Sequence, residues 1–403
     1  DSESFKKHDG PKINYSDLSM QDDAFTICNH PLLFQKEIKE ITVDSFDYKG
    51  IPALFKTTGG NYPFDVLAAS FYLLSRYEEY LPHEKDSYGR YAYENSIAYR
   101  KGFLQKPLVN TWIKDFTVAM LQKFPTLKIK TPAFSFLPTY DIDIAWSYKH
   151  KGFIRNIGGL LKAPSLGRLA VLTGLKKDPF DSFDFLNELH QRHQLHPVYF
   201  FLVAPRVSVY DKNISPYHFA MWRLIKKHAK QYAIGLHPSW KSNEKPGILQ
   251  REQKILASAA DVPVTLSRQH YIKFALPQTF EQLLAAGITD DYSMGYGSIN
   301  GFRASVASPF YWYNLVEEKS TSLRLHPFCF MDANSFYEQE QNAAASYDEL
   351  LHYYEACKAV NGELITIFHN NFLGSDKSFT GFKEMYEKFI NQLTTAPPTI
   401  VSA

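Results

Sequence analysis

The rhythm of apolar and polar positions changes near residue 130. Before that point it mixes a hairpin with helices. Ile41 to Thr57 (ITVDSFDYKGIPALFKT) reads as two short strands about a Lys49-Gly50 turn. In PFDVLAASFYLLSRYEEYLP, Pro63 to Pro82, the positions Val66, Leu67, Ser70, Phe71, Leu74 and Tyr77 keep a helical spacing, and Pro82 ends the run. A second helix is predicted over Thr111 to Phe124. The polar stretch between them, HEKDSYGRYAYENS, reads as a loop, with Asp86 and Arg90 spaced for an ion pair. No catalytic constellation is visible here. Residues 1–130 are expected to form a smaller α+β domain that serves packing or substrate recognition.

From about residue 131 short apolar runs alternate with amphipathic helices, the pattern of βα units on a mostly parallel sheet. The runs are AFSFLPT, PVYFFLV (Pro197 to Val203), YAIGL (Tyr232 to Leu236), VPVTLSRQ (Val262 to Gln269), a weak one near Ile288, SLRLHPFCF (Ser322 to Phe330) and ELITIF (Glu363 to Phe368). Helices are predicted at SFDFLNELHQRH, HFAMWRLIKKHAKQ and SYDELLHYYEACKAV. Neither a Gly-x-Gly-x-x-Gly turn after the first strand nor a phosphate-binding Gly-Lys-Ser/Thr loop occurs, which argues against the nucleotide-binding folds. The expected fold class is therefore α/β: a distorted (β/α) barrel of about seven strands over residues 131–403.

Chemistry in such barrels gathers at the C-terminal ends of strands. Asp141 and Asp143 close the run FSFLPTYDID. Residues i and i+2 of a strand share a face, so both carboxylates are aimed into one small volume. Their repulsion raises one pKa unless a cation lies between them. Further polar residues continue the apolar phase of their strands: His237 after Gly235, Arg268 and His270 after Leu266, His326 after Arg324, and His369 after Ile367. A lone strand-end histidine is ordinarily a satisfied structural residue. Five strands ending this way suggest convergence, and Asp with two neutral imidazoles is a ligand set for Zn²⁺ or a similar ion with an open position.

Composition narrows the rest. With 44 Lys and Arg against 42 Asp and Glu the net charge is only +2, which argues against a nucleic-acid partner. The 26 Tyr and 31 Phe suit a core and also surfaces that stack on sugar rings. Cys28, Cys329 and Cys357 are odd in number and far apart, so a reducing, cytoplasmic setting is expected. No signal peptide is legible, although the chain opens at Asp1, and no run approaches membrane-spanning length.

At this point the chain resembles the polysaccharide deacetylases, metal-dependent amide hydrolases on a distorted β/α barrel. The resemblance covers about residues 131 to 375 and rests on TYDID, GLHPSW, GFRAS and TIFHN. The region around PFDVLAASFYLLSRYEEYLP, with SRQHYIKF, ITDDYSMGY and LHPFCFMD, is similar to a bacterial branch carrying an extra N-terminal module. The resemblance implies that Asp141 is the catalytic base, Asp143 and His237 metal ligands, Arg303 the residue that orients Asp141, and His369 the general acid. One departure stands out: the family's usual second histidine of the GLHPSW motif is replaced by Lys241, and a protonated ammonium cannot ligate. His270, from the next strand, is expected to supply the missing imidazole.

The activity implied is removal of N-acetyl groups from an amino-sugar-containing carbohydrate, with one divalent ion, Zn²⁺ by expectation. A relative that binds carbohydrate without catalysis, or a hydrolase of another C–N amide, are the rival readings. Trp240, Asp291 and Tyr292 are candidate sugar contacts. His326 is expected beside the metal ligands, and His190, His193 and His196 in solvent.

Overall fold

A computed structural model describes residues 2–16, 23–152, 156–158, 161, 165–245 and 247–395. The N-terminal part carries two small two-stranded sheets. One pairs β1 (Ile13–Tyr15) with β2 (Phe25–Ile27) in parallel, and the other is the hairpin of β3 (Ser45–Tyr48) with β4 (Ile51–Leu54), turning at Lys49-Gly50. Both Lys49 and Gly50 have positive φ, 55° and 77°, which the predicted turn requires. The helix Val66–Leu74 is capped by Asp65, whose Oδ1 accepts the N–H groups of Leu67 and Ala68 at 3.1 and 2.9 Å. It ends before Pro82, because Arg76 turns left-handed (φ 55°) and Tyr77–Tyr80 continue as a 3-10 turn. A second helix spans Leu108–Lys123, starting three residues earlier than the periodicity predicts.

The rest of the chain builds a nine-stranded sheet. In chain order its strands are β5 (Ser135–Ile142), β6 (Val198–Leu202), β7 (Ala233–His237), β8 (Leu266–Ser267), β9 (Asp290–Asp291), β10 (Phe310–Asn314), β11 (Lys319–Leu325), β12 (Phe330–Met331) and β13 (Glu363–His369). Their order in space is β10-β11-β9-β8-β7-β6-β5-β13-β12. Every neighbouring pair is parallel except the β10–β11 hairpin. Each of the seven predicted apolar runs supplies a strand. The ladder has two ends, at β10 and β12, so the hydrogen bonds of the described residues do not close it into the expected barrel. The three predicted helices form over Phe183–His193, Phe219–Ala229 and Ala343–Ala359.

One continuous apolar core runs from Phe25 through the sheet to Ile390. A buried ionic knot also ties the N-terminal part to the sheet. Glu79 takes a two-pronged contact from Arg303, Nε at 2.8 Å and Nη2 at 2.6 Å, and a third bond from Arg76 Nε at 2.7 Å. Arg76 also donates to the Arg303 carbonyl and to Glu78, whose other oxygen accepts the Ile97 N–H at 2.8 Å. Burial works against a charge on Glu79, yet the guanidiniums of Arg303 and Arg76 hold its carboxyl down at about 2.

His190, expected in solvent, is buried with its Nε2 2.7 Å from the Tyr140 hydroxyl, because its helix turns that face onto the sheet. His196 is exposed as expected.

Candidate metal centre

The sheet register brings the acidic and imidazole side chains to one level. His369 on β13 lies opposite Asp141 on β5, and β6 aligns Leu202 with His237 on β7. Asp143 follows the last residue of β5 on the face that Asp141 shares. Asp143, His237 and His270 each offer a ligand atom, and those atoms lie within 4.8 Å of one another. His237 Nε2 is 3.1 Å from Asp143 Oδ1, and His270 Nε2 is 3.4 Å from Asp143 Oδ2. Two ligand bonds of about 2.1 Å at a tetrahedral angle separate their donor atoms by about 3.4 Å.

Each imidazole is turned by a partner on its far nitrogen. His237 Nδ1 donates to the Arg268 carbonyl at 2.6 Å, and His270 Nδ1 donates to Asp211 Oδ1 at 3.1 Å. That fixes both tautomers with Nε2 toward Asp143, the arrangement that orients metal-bound histidine. Asp143 Oδ1 is buried and accepts no hydrogen bond despite the nearby His237 nitrogen. Two donor atoms this close with no hydrogen bond made between them suit a shared cation. The donor set therefore fits a divalent ion. Burial opposes a charge on His270, but Asp143 and Asp211 push its pKa up to about 9, so a proton occupies Nε2 when no cation does.

Two more groups flank the cluster. Asp141 is buried, and its Oδ1 accepts a 2.8 Å bond from Arg268 Nη1. The Arg268 guanidinium lies over the Phe200 ring, 4.3 Å from its centroid. Gly235, two residues before His237, makes room for that ring: a Cβ there would stand 2.4 Å from it. His369 donates Nδ1–H to Asp332 Oδ1 at 2.6 Å, and its backbone N–H meets the other oxygen at 2.7 Å. Burial disfavours its charge, yet Asp332 above all, with Asp143 and Asp141, pushes its pKa up to about 10.

Asp141, Asp143, His237, His270 and His369 open into one cavity of about 580 Å³. Its wall carries Tyr210 and Tyr271, and the loop at 82–96 adds Tyr88 and Arg90 from the N-terminal part. Arg90 pairs with Asp86 at 2.6 Å, as its spacing suggests, and donates to the Tyr271 carbonyl at 2.8 Å.

Not every expected residue arrives here. Arg303 does not touch Asp141, because its guanidinium is spent on Glu79, and Arg268 takes that place. Trp240 lies behind the wall, stacked on Tyr210 at 3.8 Å with Lys273 Nζ over its ring. Asp291 is fully buried and accepts from Ser267 and Ser293, bracing the loops beneath the site. Tyr292 stacks on His326 at 4.2 Å, and His326 Nε2 meets Asp290 at 2.8 Å; neither ring lines the cavity. Lys241 is exposed and does not line it either. The sequence reading did not single out Asp211 and Asp332. Asp332 ends a strand-end run, LHPFCFMD, and so had a weak signal, whereas Asp211 sits in a loop with none.

A family model described as a family of unknown function (DUF7033) matches residues 1–125. No curated protein matches the chain. Among solved structures, a candidate polysaccharide deacetylase from Mycobacterium smegmatis is 13% identical with a TM-score of 0.43, covering 68% of this chain and 88% of its own. The Puue allantoinase is 10% identical at TM-score 0.40, covering 66% and 85%. A CE4 family pseudoenzyme from Bacillus anthracis is 9% identical at TM-score 0.32, covering 65% and 62%.

Proposed function

We propose that the chain is a metal-dependent hydrolase that removes N-acetyl groups from an amino-sugar-containing glycan or precursor. The observation that carries this reading is the Asp143–His237–His270 cluster, flanked by a carboxylate and an imidazolium that are each held by a separate partner. An ion held by those three ligands, Zn²⁺ by their chemistry, supplies Lewis acidity to the acyl carbonyl and to water.

The protein's own groups do the rest. Asp141, fixed by Arg268, accepts the proton of the attacking water. His369, kept cationic by Asp332, donates its Nε2 proton to the departing amine nitrogen, which leaves poorly as an anion. A base and an acid with separated proton affinities are what amide hydrolysis needs. The flat faces of Tyr88, Tyr210 and Tyr271 suit a sugar ring. In this reading residues 1–130 are a recognition module whose loop completes the pocket. Lys241, turned away from the cavity, leaves His270 as the second imidazole.

The test is acetate release from a panel of N-acetylated sugars, set beside small cyclic amides, using metal-loaded protein. We expect turnover of a sugar, a loss of about 10²–10⁴-fold in Asp141→Asn with metal retained, and a raised KM in Tyr88→Ala. Undiminished turnover in Asp141→Asn, or turnover of the cyclic amides alone, would sink the reading.

A further inference from the structure

Charge in this chain is balanced overall but not locally. Between Asp143 and Asp178 the sequence has no Asp or Glu, while Lys149, Lys151, Arg168, Lys176 and Lys177 fall there. Asp178 itself is buried at the base of this excursion, accepting the N–H groups of Ser147, Tyr148 and Lys149 at 2.7 to 2.9 Å. Lys177 is answered by Asp184 at 2.9 Å and Asp181 at 3.6 Å, which leaves Lys149, Lys151, Arg168 and Lys176 as the other cations among the excursion's described residues, and Arg168 lies over the Tyr148 ring.

The same excursion turns leucines outward. The helix Leu166–Leu172 buries Val171 and leaves Leu166, Leu169 and Leu172 on one ridge, 86%, 44% and 38% exposed. Leu175 beyond it is 82% exposed. The next loop repeats the pattern. Between Val203 and Lys230 the one acid is Asp211, buried against His270, while Arg206 and Lys212 are beside Val207 and Val209, and Tyr217 and Phe219 are also exposed. The two loops meet where the His150 ring packs on His218 and Phe219, at 5.2 and 6.0 Å. Both leave the C-terminal ends of adjacent strands, β5 and β6, the edge from which the cavity opens.

An outward apolar ridge set among cations that have few acids near them is the chemistry of an interfacial segment: apolar side chains enter the headgroup–acyl boundary and Lys and Arg meet anionic lipid. The geometry points to a docking surface for an anionic lipid bilayer, formed by residues 165–177 with the 203–219 loop. No helix among the described residues is long and apolar enough to cross a membrane, so the contact is one of surface docking. Docking there brings the cavity mouth to the bilayer, and it stands whether or not the hydrolase reading holds.

The test is vesicle flotation of the full chain with phosphatidylcholine vesicles containing about 30% phosphatidylglycerol, beside pure phosphatidylcholine. Binding is expected to the anionic vesicles, at least about tenfold weaker to neutral ones and in high salt. The exposed triple variant Leu166→Glu/Leu169→Glu/Leu175→Glu should lose it about tenfold or more while keeping the wild-type melting temperature. Protein that stays in the aqueous phase, equal binding to neutral vesicles, or a triple variant that floats like wild type overturns the proposal. So does a solution dimer that the triple variant dissociates without any vesicle binding, since the occupant would then be a second copy.

Discussion

His237 gives its Nδ1 proton to the Arg268 carbonyl and His270 gives its own to Asp211, which leaves both Nε2 atoms turned to Asp143. Arg268 acts twice, its carbonyl on His237 and its guanidinium on Asp141. Replacing it with Gln should cut kcat by up to the about 10²–10⁴-fold that a general base supplies. Metal content should hold, since a glutamine keeps the backbone carbonyl. Steady-state kinetics with elemental analysis checks this, and an unchanged kcat would refute the role. The strand phase made Asp141, Asp143, His237, His270 and His369 legible, because period-2 alternation dictates which side chains share a face. Arg303 came from the GFRAS resemblance rather than from strand phase, and only the position of Glu79, 224 residues away, shows that its guanidinium is already paired.

At the level of elements, the turn Tyr77–Tyr80 carries Glu79 into the sheet's loops and fastens the N-terminal part there. Removing one member of a buried ionic network strands the others uncompensated, at a cost of about 3–5 kcal/mol. Glu79→Ala strands Arg303 and leaves Arg76 with Glu78 as its one carboxylate, so its melting temperature should fall sharply. The folded fraction should bind metal as wild type does. Calorimetry with and without added metal separates the two effects; a stable variant that has lost metal would contradict this account. Apolar periodicity showed the hairpin, the helices and all seven runs of the sheet. It could not show β10 or the two-residue β12, which are too short or too irregular to carry a period, nor that the ladder of the described residues has ends at β10 and β12.

Across the whole molecule, two histidines remote from the cavity set an acid limit. Burial lowers His190 to about 3 and His228 to about 4. Above about pH 6.5 both are neutral in the folded and unfolded chain, and stability is full. As the pH falls from 6.5 toward 4 the unfolded chain takes up protons that the folded one refuses. Each histidine then costs about 1.4 kcal/mol per pH unit. His270 and His369, raised instead, contribute stability that is complete below 6.5 and lost as the pH rises toward 9 and 10, so they do not vary in this window. Urea melts at pH 6.5 and 5 should show His228→Leu losing less stability than wild type; equal losses would count against burial as the cause. The central claim is the three-ligand site, and metal content tests it most directly. Elemental analysis of protein purified without chelator should give about one divalent ion per chain, Zn²⁺ by its donor set. That ion should be lost equally in His237→Ala and in His270→Ala. Full metal in His270→Ala would show that His270 is not the second imidazole, and no metal in wild type after adding Zn²⁺, Co²⁺ or Ni²⁺ would contradict the account as a whole.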